Sequence, residues 1–402
     1  MDPVTGLETL LVAAAVAALA PVLVALLPGP RITQVVVLLA GGVVIGPEVL
    51  GWADRSSIEL LVNVGLGFLF LMAGYELDLE LFRERPGRLA MASWLVTVVL
   101  ATATVGALAA AGLVRAFVPV ALGLTTTALG TLLPILRDND LLHGRFGRYL
   151  LAAGAVGELF PTFAIALFLG ANNKFVALAS LGAVGVLALV LSLAPRLVRG
   201  NRLERILLEG EDATAQTTVR LTVLLLLTLL VTAAEFGLDV VLGAFLAGIV
   251  LRRWAPGHIH ALEAKLDALG YGFFIPLFFV ASGMSLDVRS IAEAPLRLVL
   301  FLVLLLVVRG VPALVLYRRD LPAVQRVQTM FVTATALPLL VALAEIGLRN
   351  GTMLRENAAA LVGAGALSVL VFPMTAVVIG RRRPAGQGPA AAPAAEAPPG
   401  SK

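Results

Sequence analysis

The chain has no cysteine in its 402 residues. That excludes disulfides, thiolate metal sites and thiol nucleophiles, and it leaves the redox compartment unread. Charge is also scarce: Asp, Glu, Lys and Arg make up 14% of the chain, against about 25% in an ordinary soluble domain. There is no His-Glu-x-x-His pair for zinc and no Gly-rich phosphate loop with its lysine, so an enzyme has little chemistry to draw on and no cofactor is expected. The three histidines, His143, His258 and His260, fall in loops without further ligands and read as solvated groups. What the chain does contain is apolar residue: 59% hydrophobic, with mean hydropathy +0.97. Such a composition uses lipid as its solvent.

A hydrocarbon core about 30 Å thick needs roughly 20 apolar helical residues to cross it. On that measure there are about 13 spans, near 6–27, 31–51, 57–77, 88–113, 116–137, 147–170, 174–197, 217–236, 239–252, 264–284, 295–317, 322–348 and 356–380. The first run follows an acidic start without the positive n-region of a secretory leader and reads as a retained span. With the N-terminus outside and the C-terminus inside, 22 of the 30 Lys and Arg lie on the cytoplasmic side, 7 outside, and one, Arg309, within a span. This asymmetry fits the positive-inside rule. It also explains the net charge of +4 without any nucleic-acid partner. The expectation is an all-α polytopic protein of the bacterial inner membrane. Its membrane transport domain covers residues 1–383, and a Pro/Ala-rich disordered cytoplasmic tail covers 384–402.

Two segment pairs repeat at nearly one spacing. Phe70–Asp78 resembles Phe279–Asp287, 209 residues on, and Thr125–Leu129 resembles Thr333–Leu337, 208 residues on. The spacing equals seven spans, and an odd number of spans inverts the second copy in the membrane, as in secondary transporters. Each Thr-rich segment shares its span with a proline, Pro134 or Pro338. Thr and Pro in place of a smooth Leu run predict interrupted helices, whose freed carbonyls can coordinate a cation near the midplane.

Two ionisable groups lie deep in the spans. Glu158 sits in Gly154-Ala-Val-Gly-Glu-Leu-Phe-Pro161, at about the bilayer midplane by helical rise from Arg148. A lone carboxylate there is costly unless protonated, paired or hydrated, which suits a group that holds either a proton or a cation. Gly157 and Pro161 are expected to loosen the packing beside it and admit water. Arg309, in Leu304-Leu-Leu-Val-Val-Arg-Gly-Val-Pro312, is a candidate to neutralise Glu158 or to offset the dipoles of the broken helices. Glu76, Asp78, Glu235, Asp239, Asp287 and Glu345 fall at or near span ends and read as interfacial or capping groups.

Gly41-Gly-Val-Val-Ile-Gly-Pro47, Leu69-Phe-Leu-Met-Ala-Gly74, Leu242-Gly-Ala-Phe-Leu-Ala-Gly248 and Phe274-Ile-Pro-Leu-Phe-Phe-Val280 resemble the monovalent cation:proton antiporter-2 family, which includes sodium/proton exchangers and Kef-type potassium/proton antiporters. The resemblance implies a 13-helix inverted-repeat fold and a homodimer. The dimer part would be spans 1–3 and 8–10, and the moving core spans 4–6 and 11–13, with span 7 as linker. Two broken helices, spans 5 and 12, would cross near the midplane. Glu158 takes the place of the family's ion- and proton-binding acid. Gly157 stands where many electrogenic members have a second Asp, and Arg309 where they have a pairing Lys or Arg. Thr126 and Thr127 lie at the break in span 5, and Thr333 and Thr335 at its counterpart.

The function expected from this is exchange of Na+ or K+ for H+ by alternating access. A single carboxylate implies electroneutral one-for-one exchange, with no metal beyond the transported cation. The competing readings are a channel-like cation pathway, a sodium-coupled organic anion symporter and a non-transporting membrane sensor.

Overall fold

The computed structural model describes residues 3–26, 34–76, 79–170, 174–198, 216–238, 240–254, 259–286, 288–293 and 295–381. Over these residues the chain is helical with no strand. The first half comprises α1 (Pro3–Leu26), α2 (Gln34–Ile45), α3 (Glu59–Glu76), α4 (Arg85–Ala110), α5 (Phe117–Gly123), α6 (Leu129–Asp138), α7 (Gly144–Ile165) and α8 (Lys174–Val198). The second half continues with α9 (Thr217–Glu235), α10 (Val240–Trp254), α11 (Ile259–Leu269), α12 (Ile275–Met284) and α13 (Val288–Glu293). It ends with α14 (Pro295–Leu304), α15 (Val311–Leu316), α16 (Ala323–Thr333), α17 (Pro338–Arg349) and α18 (Arg355–Arg381). Wider π turns follow α7 (Ala166–Gly170), join α11 to α12 (Gly270–Phe274) and join α14 to α15 (Leu305–Gly310). Asp78, Asp239, Asp287, His258 and the 384–402 tail lie outside the described residues.

Among the described residues, nine helical stretches are long and apolar enough to cross a membrane, and two shorter apolar helices accompany them. The expected thirteen is not reached by that measure, for local reasons. α2 has 12 residues, α10 has 15, and the apolar part of α8 is Leu178–Leu193. The expected fifth span is divided between α5 and α6, so neither piece is long enough.

Packing follows the distribution of small residues. α3 lies on α10 and α12, α2 on α1 and α12, and α9 on α10. Elsewhere α4 lies on α7, α16 on α15 and α18, and α14 and α17 on α18. α3 with α10 and α2 with α12 approach to backbone contact at paired glycines. A Cβ on Gly74 would come 2.1 Å from the Phe245 carbonyl oxygen, and one on Gly283 would come 2.1 Å from that of Leu39. Gly248 and Gly42 are the matching glycines on the facing helices. Small residues of this kind let helices meet in lipid, where no hydrophobic force drives them together. Gly74 and Gly283 are the glycines of the segment repeated at 209 residues.

Candidate ion-binding site

The first break forms where three threonines compete with the helix. Thr125 and Thr126 donate their hydroxyls to the Leu122 and Gly123 carbonyls, each at 2.8 Å. Such back-bonding offers the chain an alternative to continuing the helix, and α5 ends at Gly123. The second break is set by Pro338, the first residue of α17. Proline disfavours the α region for the residue before it, and Leu337 has φ −146° and ψ −59°. Pro134 was expected to mark the first break. Instead it lies inside α6, six residues after Ala128.

The two breaks touch. The Ala128 N–H donates to the Thr335 carbonyl at 2.8 Å, and the Thr127 hydroxyl donates to the Thr333 carbonyl at 2.7 Å. α7 passes beside them. Pro161 lies within α7 and has no N–H to give the carbonyl four residues earlier, that of Gly157. The freed Gly157 carbonyl accepts the Thr127 N–H at 2.8 Å. The loosening expected at Gly157 and Pro161 is therefore corrected. Pro161 releases a carbonyl that the break takes up, and the space above Gly157 is filled. A Cβ there would lie 2.4 Å from Arg309 Nη2 and 2.4 Å from Thr127 Oγ1.

Glu158 is 1% exposed. Its carboxyl faces the backbone N–H groups of Gly130 and Leu129, at the start of α6. A helix N-terminus carries partial positive charge and favours an anion. The carboxyl oxygen Oε2 has no hydrogen-bond partner. Glu158 lines a narrow cavity with Phe70, Thr126, Thr127, Ala128 and Ala336–Leu339. Glu158 brings the titratable group to this lining and Thr126 and Thr127 bring hydroxyls, while Phe70, Ala336, Leu337 and Leu339 make the rest of it apolar.

Arg309 lies in the π turn before α15 and is 1% exposed. Its Nε donates to Thr127 Oγ1 and its Nη2 to the Ala153 carbonyl, both at 3.0 Å. No ion pair joins it to Glu158 among the described residues. Its charge instead falls on the first break. Thr127 is the centre of the arrangement: its N–H and hydroxyl both donate, and the hydroxyl also accepts from Arg309. Thr126 lines the cavity beside it. The hydroxyls of Thr333 and Thr335 return to their own helix, to the carbonyls of Thr329 (2.8 Å) and Phe331 (3.1 Å). It is their carbonyls that reach across to the first break.

Sequence reasoning missed Ser368 on α18. Its hydroxyl accepts the Ala336 N–H at 3.0 Å and donates to the Gly365 carbonyl at 2.7 Å, so it supports the second break. A signal was available: Gly365 lies 208 residues after Gly157, the spacing of the threonine segments. A further group, at the end of α7 nearer Gly144, centres on Asp320, which the sequence did not single out. Asp320 receives Arg85 Nε at 2.6 Å and the Tyr149 hydroxyl at 3.0 Å, with Arg145 3.5 Å away. Burial pushes the Asp320 carboxyl up, but the Arg85 and Tyr149 hydrogen bonds and the charges of Arg85 and Arg145 outweigh it and hold it below the usual carboxylate range. It ties together α4, α7 and the turn before α16.

Comparison with known proteins agrees with this architecture. The transmembrane sodium/hydrogen exchanger family model matches residues 12–381. The chain is 26% identical over 399 residues to the putative Na+/H+ antiporter YjbQ of Bacillus subtilis, covering 92% of this chain and 62% of that protein. It is 26% identical to the Na+/H+-K+ antiporter GerN of Bacillus cereus, covering 63% of this chain and 65% of that one. It is 27% identical to the glutathione-regulated potassium-efflux protein KefC of Klebsiella pneumoniae, covering 75% and 48%. The chain therefore spans less than two thirds of the length of each. Among solved structures, it shares the fold of the sodium proton antiporter MjNhaP1 from Methanocaldococcus jannaschii, with TM-score 0.60, 17% identity, and coverage of 92% of this chain and 94% of that one.

Proposed function

We propose that this chain, which belongs to the sodium/hydrogen exchanger family, exchanges a monovalent cation, Na+ or K+, for H+ across the membrane. The observation that carries this reading is Glu158: a single carboxyl, 1% exposed, lining the cavity where two helix breaks meet. The names of the relatives, Na+/H+ and potassium-efflux antiporters, support both candidate cations.

Glu158 holds either a proton or a cation, and the two compete for one carboxyl. Thr126, Thr127 and the carbonyls of Thr333 and Thr335 complete the cation's shell. Arg309 offsets the carbonyl dipoles of the first break. An empty, ionised Glu158 pays the full desolvation cost of a buried charge, so only the neutralised site crosses. That rule couples the two ions. Because Arg309 and Thr127 fill the space above Gly157, a second acid has no room there, which supports electroneutral one-for-one exchange.

The moving part in this reading is α4–α7 with α14–α18, rocking against α1–α3 with α9–α12, and α8 links them. The packing pairs support the division, since the helices named within each group lie on one another. The second group is the surface for a homodimer. The chain sits in the bacterial inner membrane with its N-terminus outside.

The test is proton flux in liposomes. Purified protein is given a preset pH gradient, then Na+, K+ or Li+, and wild type is compared with Glu158→Gln. Collapse of the gradient by one cation through wild type alone is the expected result. Exchange through Glu158→Gln would move the site elsewhere. A current reversing with the cation gradient would refute electroneutrality, and uptake of an organic anion with sodium would favour the symporter.

A further inference from the structure

The half-helix α6 meets α3 at two points. At its start, a Cβ on Gly130 would lie 3.3 Å from Leu69. At its end, Arg137 forms an ion pair with Glu76 and lies 3.9 Å from Asp267 of α11. Leu69 and Glu76 are two helical turns apart, and so are Gly130 and Arg137. The helices therefore run side by side in register, with the second contact about 10 Å beyond the first. Ala73 sits between Leu69 and Glu76 on the same face of α3 and is fully buried. Tyr271, in the π turn before α12, lies within electrostatic reach of Glu158, Asp267 and Arg137.

We propose that Arg137, with Glu76 and Asp267, is a latch that closes the route from Glu158 to the Arg-rich face in this conformation. Arg137 is then a positioning residue, acting through α6. The same ten-residue helix presents its first N–H groups to Glu158 and its last turn to the latch. A change at Glu158 that shifts α6 moves Arg137 with it. The Arg137 contact joins the half-helix of the site to α3 and α11. Arg137 and Glu76 are 43% and 21% exposed. A half-wet pair is weak, as a contact broken in every cycle must be. The proposal rests on the exchange reading for the reason the route must close, but the latch can be measured without any exchange.

The absence of cysteine makes a single introduced thiol a clean reporter. Ala73→Cys in the full chain, in vesicles of known orientation, is labelled with a membrane-impermeant maleimide. Labelling is slow with the latch intact. Arg137→Ala or Glu76→Gln raises the rate about two- to fivefold, the shift a half-exposed ion pair supports, and only from the Arg-rich face. Arg137→Lys restores slow labelling, which a merely structural arginine would not predict. Leu133→Cys, buried on α6, is the second reporter should Ala73→Cys not fold. Unchanged labelling at the reporter, or a gain from the opposite face, overturns the latch. If labelling responds but vesicles exchange no cation for protons, the latch stands and the exchange reading fails.

Discussion

Replacing Gly157 with alanine tests whether the site depends on the contact between α7 and the first break. The new Cβ would lie 2.4 Å from Arg309 Nη2, 2.4 Å from Thr127 Oγ1 and 2.7 Å from Thr127 Cβ. Neither obstacle is free to move. Thr127 is bonded to Gly157, Thr333 and Arg309, and Arg309 is bonded to Thr127 and Ala153. Overpacking a filled interior costs about 1–3 kcal/mol, and losing a hydrogen bond to a charged donor costs about 1.5–3 kcal/mol. Alanine returns about 1 kcal/mol of helix propensity, so the net loss is about 1.5–5 kcal/mol. Gly182 and Gly185 on α8 are the controls, because a Cβ there meets nothing within 4 Å. Thermal unfolding of purified protein should show Gly157→Ala melting below wild type, with the two controls unchanged or slightly higher. Proton flux should fall at least about tenfold, since 1.4 kcal/mol of distortion already suffices. A Gly157→Ala protein that melts and exchanges like wild type would refute the reasoning. The argument that a second acid has no room at this position would fall with it.

Two further outcomes follow from groups outside the cavity. Ser368→Ala leaves the buried Ala336 N–H without its acceptor, at a cost of about 1–3 kcal/mol. It should lower both the melting temperature and cation affinity in the flux assay, while Ser368→Thr keeps part of both. Asp320 has its folded-state pKa depressed by Arg85 and Tyr149 against the upward pull of burial. A depressed acid adds stability that is present above the unfolded value of about 3.9 and is lost as pH falls through the folded value. Melting curves taken downward from pH 6 should therefore show an acid-side loss that Asp320→Asn flattens.

What the sequence made legible were features written in one dimension. Glu158 stands out because charge is rare in an apolar run, and the breaks because Thr125–Thr127 and Pro338 interrupt helix-forming residues. What escaped depends on contacts between distant residues. Pro134 looks like a helix breaker in sequence, yet it lies inside α6. Gly157 reads as loosening until Arg309, 152 positions away, is seen to fill the space above it. Ser368 is an ordinary small residue in a small-residue helix until the Ala336 N–H arrives at its hydroxyl. The partners of Arg309 were open between Glu158 and the break, because a sequence gives its depth but not its direction.

On the proposed repeat, the spacing of 208 residues pairs the residues of the two breaks. Thr127 corresponds to Thr335, Ala128 to Ala336 and Gly157 to Gly365. Both glycines let a break come close: a Cβ on Gly365 would lie 2.8 Å from the Ala336 carbonyl, much as one on Gly157 would strike Thr127. The ionisable residues do not follow the correspondence. Glu158 matches Ala366, and Arg309 matches Ala101. On the proposed repeat, then, the two copies supply one scaffold of backbone and threonine twice, and the charges enter once each, the acid from one copy and the arginine from the other. A symmetric placement would put two acids and two arginines around one small cavity. Each added charge would need its own partner or pay the cost of burial. With one acid, the cavity has a single charge to neutralise, and either a proton or a monovalent cation does so completely. On the proposed exchange reading, that arithmetic, rather than the fold, is what ties one ion to the other.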